Sequence, residues 1–597
     1  MPAGLTRTCA ERRLISRNPI HSALLLATVG LSAPAAWAAC GNTGGPNGVV
    51  YATAGDTCDA TATSYSGNNV AYATQDGSIL HFTNSPNVQT NAGNVYAISA
   101  GGANIGSVPA TPAAQVVATN NLTVTLGFTG GSTNTRGLYI YSGANAGSAR
   151  NLIHVQGNLT GSVQSTAAFA QIASGTLQVD GRTAITTTRQ GNVLRMGDAS
   201  SVAQFNGPVV LDSANDLPDA YPTRNRTQLV VGAGTVNFAQ SLTASANGDG
   251  SVVLNQSGGV VTATGAVSLE SQTANTVQVT GNGELTLNGG GSVTSSAPAS
   301  ASTAALLSGG TAQVTASQPT TFSSQSTALR FAGATGALVT LTGATATTAP
   351  LVFEADASST SARVVAHGGT FTGASTNAGT LNVELDQSAL WTMTADSALT
   401  QLSLASGATL DPLPDAPALR QLSGALSNQG GVVTLHRSDG APRNTLAVNG
   451  AYEANGGVLA LDTTLNEGDA QSESDVLQAA SVSTGGTPTR IAITPSAASA
   501  GQATVGKGIL VVRVMGGAPA SALDAFVLAS AVTHNGVSYT LVRDADDGNW
   551  YLRAVGTSGP GTGVEPVPVD TPWALAVLAG MLALGASRTL RARRSRR

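Results

Sequence analysis

The sequence predicts an all-β chain folded as a parallel β-helix, and three observations lead to this prediction. Only 10% of the 597 residues are charged and only 4% are aromatic, against about 25% charged residues in ordinary domains. Yet 42% of the residues are hydrophobic, so the chain lacks the composition of a disordered protein. Short strand-like pieces separated by turn residues recur over most of its length. This combination favours a narrow core assembled coil by coil.

The strand-like pieces alternate polar and apolar residues. Clear examples are residues 121–126, 175–179, 283–287 and 379–385, each flanked by Gly, Asn, Ser or Asp. Alternation buries one face of a strand and exposes the other, and no long helical period precedes the C-terminus. Because stacked coils absorb many short strands, we expect some 20 coils of roughly 20–25 residues each, in a rod on the order of 100 Å long.

The N-terminus predicts export. Residues 22–31 are apolar or small, and this run is too short for a permanent span of about 20 residues. A basic leader precedes it, and a small-x-small site follows it, which predicts a signal peptide over residues 1–38 with cleavage before Ala39. Lipoprotein acylation of Cys40 is an alternative that Trp37 disfavours. The residues of the leader and of the site are Arg7, Arg12, Arg13, Arg17, Ala36, Ala38 and Ala39.

Cysteine usage agrees with an oxidising compartment. Of the 3 cysteines, Cys9 is lost with the signal peptide, and Cys40 and Cys58 remain as an even pair. In an exported chain such a pair favours a disulfide, which typically contributes about 2–4 kcal/mol. Two free buried thiols are the alternative.

Residues about 388 to 553 contain a series of short sequence motifs, here called phrases, in a recognisable order. They resemble the pertactin-like C-terminal module of autotransporter passengers. The phrases are Ser388-Ala389-Leu390-Trp391-Thr392-Met393, Thr445-Leu446-Ala447-Val448-Asn449-Gly450-Ala451-Tyr452, Gly456-Gly457-Val458-Leu459-Ala460-Leu461, Ser474-Asp475-Val476-Leu477, Gly506-Lys507-Gly508-Ile509-Leu510-Val511, Ala525-Phe526-Val527-Leu528 and Asn549-Trp550-Tyr551-Leu552-Arg553.

This resemblance implies a right-handed parallel β-helix over residues 39–440 and a C-terminal module over 441–555 that caps it and helps it fold. A cap is physically sensible because the last coil of a solenoid exposes a strand edge and an open core. The aromatic residues expected in the cap are Phe526, Tyr539, Trp550 and Tyr551. The alternative for these four is an ordinary core position.

The final forty-four residues depart from the passenger pattern. A translocating barrel would need many alternating strands of roughly ten residues, whereas this segment predicts a Pro/Gly linker (556–571), a single hydrophobic anchor helix (572–590) and an Arg-rich cytoplasmic tail (591–597). It resembles the IPTL type of C-terminal sorting signal, which implies anchoring in the membrane and cleavage by a sorting protease. A plain tail anchor is the alternative. The residues concerned are Val567, Pro568, Val569, Asp570, Trp573, Arg588, Arg591, Arg593 and Arg594.

Function is less constrained by the sequence. A net charge of −5 gives no basic footprint, so we expect no nucleic-acid partner. We expect no catalytic residue, metal or cofactor, because His81, His154, His436 and His534 are isolated in the sequence and the acidic stretch 212–219 predicts a solvated loop. The favoured function is an adhesin-like or structural protein of the cell surface or envelope, with a glycan or another cell as ligand. The alternative is a carbohydrate-active enzyme, which a groove aligning two carboxylates with a Lys, Arg or His would favour.

Overall fold

The computed structural model describes residues 38–556 apart from 13 short segments, and the N-terminal 1–37 and C-terminal 557–597 also lie outside the described residues. The segments left out are 44–47, 54, 75–76, 102–112, 128–134, 142–149, 165–167, 189–190, 214–226, 248–252, 301, 344–345 and 413–418. Most of the predicted signal peptide, the linker, the anchor helix with its sorting residues, and most of the acidic stretch 212–219 therefore fall outside the described part.

The described chain is almost entirely β-structure, arranged as a solenoid of parallel strands. Two 3-10 helices, Asp469–Gln471 and Ala518–Ala520, are the exceptions among the described residues. Up to Thr327–Ala332 the coils contribute a strand to a first face, then to a second, then to a third, and in the coils that follow single long strands extend over two faces. Strands of successive coils pair in parallel. The prediction of an all-β chain folded as a solenoid of parallel strands is confirmed.

The first face is a 22-stranded sheet, whose last three strands are antiparallel. Its strands are Ala38–Ala39, Thr57–Ala60, Ile79–Phe82, Gln115–Ala118, Leu152–Val155, Thr176–Val179, Val202–Phe205, Thr235–Phe238, Val260–Ala263, Glu284–Leu287, Gln313–Ala316, Ala337–Thr342, Ala362–His367, Leu381–Asp386, Ser397–Ala405, Leu419–Gln429, Thr445–Ala454, Val476–Thr484, Ile509–Val514, Val532–His534, Val537–Arg543 and Trp550–Ala554.

The second and third faces belong to one 31-stranded sheet, because two strands run across both faces. The second face contains Ser64–Ser66, Asn87–Thr90, Leu122–Leu126, Leu159–Val163, Thr183–Thr187, Val209–Ser213, Leu242–Ala246, Val267–Ser271, Gly291–Ser295, Thr320–Ser324, Leu390–Thr392, Thr409–Asp411, Val432–Thr434, Val458–Thr464, Thr489–Pro495 and Phe526–Leu528. The third contains Val49–Ala52, Ala71–Ala73, Tyr96–Ala100, Arg136–Ile140, Ala168–Ile172, Asn192–Met196, Leu229–Val231, Leu254–Gln256, Val277–Thr280, Thr303–Ser308 and Thr327–Ala332. Ala346–Ala355 and Thr370–Asn377 span the two faces, and the short strands Gly41–Thr43 and Glu473–Ser474 pair antiparallel at their edges.

Strand alternation builds one continuous core. On the first face, register partners repeat the same inward position, so apolar side chains stack into ladders. One ladder runs through Leu80, Val116, Ile153, Leu177, Ala203, Val236, Val261, Leu285, Val314 and Val339, all at most 2% exposed. Because each coil covers the previous one, the aliphatic ladders and buried rings such as Phe82, Phe322 and Phe371 form one continuous core.

Coil length varies more than predicted. The sequence separation of residues that are hydrogen-bonded between adjacent coils measures the length of a coil. It is 19 residues for Leu381 and Thr400 but 37 residues for Ala114 and Asn151. Segments inserted between faces lengthen several early coils. The spacing is tightest around Thr370–Asn377, where the register partners Val364 and Val383 are 19 residues apart, and it lengthens again to 30 residues between Tyr452 and Val482. The long first-face strands turn the corner with a shift in register, as between Ala398 and Gln401.

The N-terminal end is closed by the pair of cysteines. Cys40 and Cys58 form a disulfide with a Cα–Cα distance of 4.9 Å, and Cys58 is buried. Ala38–Ala39 pairs in parallel with the strand that contains Cys58. Ala39, the predicted first residue of the mature chain, thus stands in the first strand. Ala36 lies outside the described residues, and of Ala38 and Ala39 only the backbone is described.

In the part of the chain that the structure covers, no helix has the length and hydrophobicity of a bilayer span.

Candidate functional site

The C-terminal module covers the last coil of the solenoid with antiparallel strands. Ile509–Val514 is the last parallel strand of the first face, and its outer edge pairs antiparallel with Trp550–Ala554. That strand pairs with Val537–Arg543, which pairs in turn with the three-residue strand Val532–His534. The open edge of the first face is thereby replaced by the short strand Val532–His534, which offers few free backbone groups for pairing with a further strand.

Three aromatic rings in mutual contact, here called the aromatic stack, fill the core beneath this end. The rings of Tyr452 and Phe526 lie 5.6 Å apart, and Trp550 meets Phe526 edge to face at 5.3 Å. All three side chains are at most 4% exposed. The Trp550 Nε1–H donates to Ser521 Oγ at 3.3 Å. Large rings of this kind plug the end of a core that has no further coil to cover it.

The phenol of Tyr452 is hydrogen-bonded within the core. Asn428 Nδ2 donates to its oxygen at 3.2 Å, and the Thr489 hydroxyl lies 3.1 Å away. Burial raises the pKa of Tyr452 to about 12, and the two hydrogen bonds oppose this rise. The ring therefore stays neutral and links the second face to the first.

A charged network fastens the antiparallel strands to the solenoid. Lys507 Nζ lies 2.7 Å from Asp547 Oδ2 and 3.2 Å from Asp544 Oδ1, and Arg553 Nη2 lies 2.9 Å from Asp544 Oδ2. Arg553 Nε also donates to the Lys507 carbonyl at 2.9 Å. The hydrogen bonds that Lys507 donates to the two carboxylates raise the pKa of Lys507. Partial burial acts to raise the pKa of Asp544, but hydrogen bonds from Lys507 and from backbone N–H groups outweigh it and lower that pKa.

A second, buried carboxylate ties together three segments of the module. Asp475 accepts backbone N–H hydrogen bonds from Arg443 at 3.0 Å, Asn444 at 2.8 Å and Asp462 at 2.9 Å. Its side chain is fully buried. Burial raises the pKa of Asp475 to about 6, although the three hydrogen bonds oppose this, and the nearby Asp462 raises it further.

The four predicted cap residues divide into two groups. Phe526 and Trp550 join the aromatic stack, whereas Tyr539 and Tyr551 use their hydroxyls at its rim: Tyr539 donates to the Gln502 carbonyl at 2.7 Å and Tyr551 to Asp547 Oδ2 at 2.8 Å. The sequence prediction missed Tyr452 as a member of the stack. A tyrosine in a strand followed by glycines is rare in a chain with so few aromatic residues, and this could have indicated that Tyr452 belongs to the stack.

A groove crosses the third face where the coils begin to tighten. It has a volume of about 550 Å³ and brings together three carboxylates, those of Glu354 and Asp356 on one coil and that of Asp396 on another, with hydroxyl and amide side chains beside them. Arg330 Nε lies 3.4 Å from Glu354 and Arg420 Nη1 lies 3.9 Å from Asp396. This is the combination of groups that would favour the enzyme alternative.

The groups in this groove also have structural partners. Glu354 accepts a hydrogen bond from the Thr327 hydroxyl at 2.7 Å, and Asp396 accepts one from the Gln421 N–H at 2.9 Å. Asp356 binds the N–H of Gly333 and the hydroxyls of a turn. Although partial burial acts to raise the pKa of Asp356, these hydrogen bonds lower it. Its carboxylate is therefore held ionised, which does not suit a general acid at neutral pH.

Histidines that are isolated in the sequence are paired in space. His81, His154, His367 and His436 each lie 2.6–2.9 Å from an aspartate about one coil away, namely Asp59, Asp180, Asp386 and Asp462. Sequence reasoning missed these pairs because the partners are about 19 to 26 residues apart. Across the described part of the chain, no group of three or more His, Cys, Asp or Glu side chains is arranged to hold a metal ion.

The outer faces are mainly polar. On the second face one outward column follows the pairing register through Asn87, Thr123, Thr160, Ala184, Val210, Thr243, Ser268, Ser292 and Thr321. On the first face Gln178, Gln204, Asn237, Thr262, Thr286, Thr315 and Thr340 form a similar column.

Comparison with known protein families gives a match over the C-terminal module. Residues 422–541 are similar to the family Autochaperone Domain Type 1, a domain associated with autotransporter passengers. The matched region includes Tyr452, Asp475 and Phe526 and extends to the second antiparallel strand. The match supports an autotransporter passenger exported to the surface or envelope of a Gram-negative cell. No curated protein matches the chain.

Proposed function

We propose that the protein is a surface-displayed β-helical passenger that acts as an adhesin-like or structural component of the cell envelope. The C-terminal module carries this proposal. Its antiparallel strands and buried aromatic stack close a solenoid whose coils cannot bury their cores alone. The similarity of residues 422–541 to an autochaperone domain supports export of a chain that folds after crossing a membrane.

The outer surface supports a role in contact with other molecules. Rows of mainly Ser, Thr, Asn and Gln follow the coils on two faces at the strand spacing of about 4.8 Å, and on the second face Ala184 and Val210 interrupt the row. Such rows match repeating hydroxylated polymers better than small metabolites. A glycan or a neighbouring cell surface is the ligand that this chemistry favours.

The C-terminal segment supplies the proposed link to the envelope. The sorting residues Pro568 and Trp573 precede an apolar stretch and an arginine cluster, which together suit insertion in the membrane with the arginines on the cytoplasmic side. A sorting protease that cuts this segment after export is the partner that follows from it.

The proposal is tested by the termini of the mature protein. Native cells are divided into surface-shaved, membrane and medium fractions, and the ends of the protein in each are determined by mass spectrometry. A surface or released form that begins at Ala39 and ends before Trp573 would support an exported, sorted envelope protein. An intact chain ending in Arg597, confined to the inner membrane and protected from external protease, would overturn surface display.

The groove on the third face favours one alternative, a carbohydrate-active enzyme. Glu354 and Asp396 lie in it on different coils with arginines beside them. The test is release of reducing ends from a panel of polysaccharides by the purified protein, by Glu354→Gln and by Asp396→Asn. Asp439→Asn, at an exposed ion pair outside the groove, is the matched control. Activity abolished by both groove substitutions but kept by the control would establish the enzyme; no release by the unsubstituted protein would eliminate it for those substrates.

A further inference from the structure

Five of the chain's 10 tyrosines lie together on the third face of the first coils. They form a tyrosine patch, defined as Tyr51, Tyr72, Tyr96, Tyr139 and Tyr141. All five side chains are partly exposed. In a chain with 4% aromatic residues, most other rings lie in the core, so this grouping on the outside is unusual.

The rings of the patch are nearly parallel. Tyr51 and Tyr72 are register partners whose ring centroids lie 5.2 Å apart with planes 9° from parallel. Tyr139 stacks on Tyr96 at 4.4 Å and lies 6.5 Å from Tyr141, with interplanar angles of 10° and 12°. Ser99 lies on the same strand as Tyr96 and is the register partner of both Tyr72 and Tyr139.

Polar groups are embedded in this aromatic surface. The Ser99 hydroxyl is 1% exposed and has no hydrogen-bond partner among the described residues. On the next coil Gln171 pairs in register with Tyr139, and its amide oxygen accepts a hydrogen bond from Arg136 Nε. Burial raises the pKa of Tyr139 to about 12, and the charges of the neighbouring tyrosines add to this rise. The Tyr139 phenol is therefore a neutral donor at physiological pH.

An exposed cation completes the arrangement. Arg195 is the register partner of Gln171, two coils and so roughly 10 Å from Tyr139 along the rod. Its side chain is exposed, and none of the ion pairs between described residues includes it. Burial lowers the pKa of Arg136, and the charge of Arg195 lowers it further, so two positive charges lie close to the patch.

We propose that the tyrosine patch and Arg195 bind a polysaccharide whose sugars carry carboxylates at intervals. Sugar rings have an apolar face that packs on aromatic side chains, while their hydroxyls pair with phenol and amide groups. A planar guanidinium pairs a carboxylate with two hydrogen bonds. One exposed arginine in a chain with a net charge of −5 suits occasional carboxylates rather than the dense charge of a polysulfate. This inference rests on the proposed adhesin-like function and names its ligand class and site.

The test uses the purified mature chain and hyaluronan, which carries a carboxylate on every second sugar. We expect binding by isothermal titration calorimetry that weakens as salt is raised, because exposed charges are screened. Tyr139→Ala is expected to weaken binding about tenfold or more, and Arg195→Gln about fivefold or more. Tyr139→Phe, which keeps the ring but removes the phenol, is expected to weaken binding less than Tyr139→Ala. Arg363→Gln, at an exposed arginine on the first face, is expected to bind within about twofold of the unsubstituted protein.

The outcomes separate this inference from the proposed function. Absence of hyaluronan binding, or equal affinity of Arg195→Gln and the unsubstituted protein, would overturn the site even if the protein is found on the cell surface. Binding to heparin but not to hyaluronan would show a polysulfate surface and would likewise overturn it. Equal binding of neutral dextran would eliminate the role of the carboxylate. Circular dichroism of each variant distinguishes lost binding from lost folding.

Discussion

At the scale of single residues, the C-terminal module contains two unlike groups of acids. Asp544 and Asp547 are paired with Lys507 and have lowered pKa values, although partial burial opposes this. Asp475 is fully buried, and its pKa is raised to about 6. Because the raised value lies above that of an exposed aspartate, the ionised form of Asp475 costs stability at neutral pH even though three N–H groups point at it.

The pH dependence of the module follows from this shift. A folded-state pKa above the unfolded value means that the folded state binds the proton more tightly. The contribution of Asp475 is therefore complete below about pH 4 and is lost as the pH rises through 6. We expect the free energy of opening at the Arg443 and Asn444 amides to be about 1 kcal/mol larger at pH 5 than at pH 7. Native-state hydrogen exchange, corrected for intrinsic rates, measures it.

Asp475→Asn provides the comparison, because an amide does not titrate in this range. The substituted protein should show no such gain between pH 7 and pH 5. Parallel profiles for the two proteins would contradict the assignment of the pH dependence to Asp475.

Trp550 is the residue whose loss should most weaken the cap. Trp550→Ala removes a ring that is 4% exposed and packs edge to face on Phe526. Replacing a buried tryptophan by alanine typically costs about 3–5 kcal/mol. We expect a lower urea midpoint for the C-terminal module and slower refolding after dilution from denaturant, both followed by far-ultraviolet circular dichroism.

The matched control for Trp550→Ala is Leu523→Ala. Leu523 lies in the same module but is 78% exposed, so its replacement should change stability by less than about 0.5 kcal/mol. Equal effects of the two substitutions would show that Trp550 does not act as a plug.

At the scale of elements, the corners of the coils depend on close backbone approach. Gly424 lies where the long strand Leu419–Gln429 turns from one face to the next, with a φ of +128°. A Cβ placed there would lie 2.0 Å from the Leu399 carbonyl oxygen in the coil below. Only glycine fits both this conformation and this spacing.

Gly424→Ala should therefore strongly destabilise the packing of the coil that contains Gly424 on the coil that contains Leu399. The new methyl group must push two coils apart or change the corner, and we expect a cost of more than about 2 kcal/mol. Gly197→Ala is the control, because a Cβ at Gly197 meets no atom within 4 Å. Thermal unfolding of both proteins measures the difference. A Gly424→Ala protein as stable as the Gly197→Ala protein would show that the corner is free to relax.

At the scale of the whole molecule, the solenoid is a one-dimensional stack in which each coil stabilises its neighbours. Its two described ends are closed differently. The first coils carry the disulfide between Cys40 and Cys58, while the last coil carries antiparallel strands and an aromatic stack. Because stability spreads mainly between neighbouring coils, a change at one end should fade along the rod.

Replacing Cys58 by serine tests this locality. The disulfide spans 18 residues, and loss of such a link typically costs about 3 kcal/mol. We expect faster hydrogen exchange in the strands of the first coils and unchanged exchange in residues 445–514. Faster exchange throughout the rod would show that the solenoid unfolds as a single cooperative unit instead.

The sequence predicted the elements of the fold better than their arrangement. Alternation located strands such as Leu122–Leu126 and Leu381–Asp386 because burial of one face imposes a period of two residues. The ordered phrases of the C-terminal module predicted a cap, and a family match covers much of it. Coil lengths were predicted too uniformly, because insertions between faces leave no periodic signal.

The sequence alone determined that this is an all-β chain of stacked coils, since composition and alternation act locally along the chain. Its ordered C-terminal motifs indicated a distinct module of the kind found in exported passengers. The tertiary structure decided which residues meet across coils. His154 and Asp180, Tyr96 and Tyr139, and the carboxylates of the third-face groove are brought together by the pairing register. Neighbours in a solenoid are separated by a whole coil of variable length, so their proximity is fixed only when the coils stack.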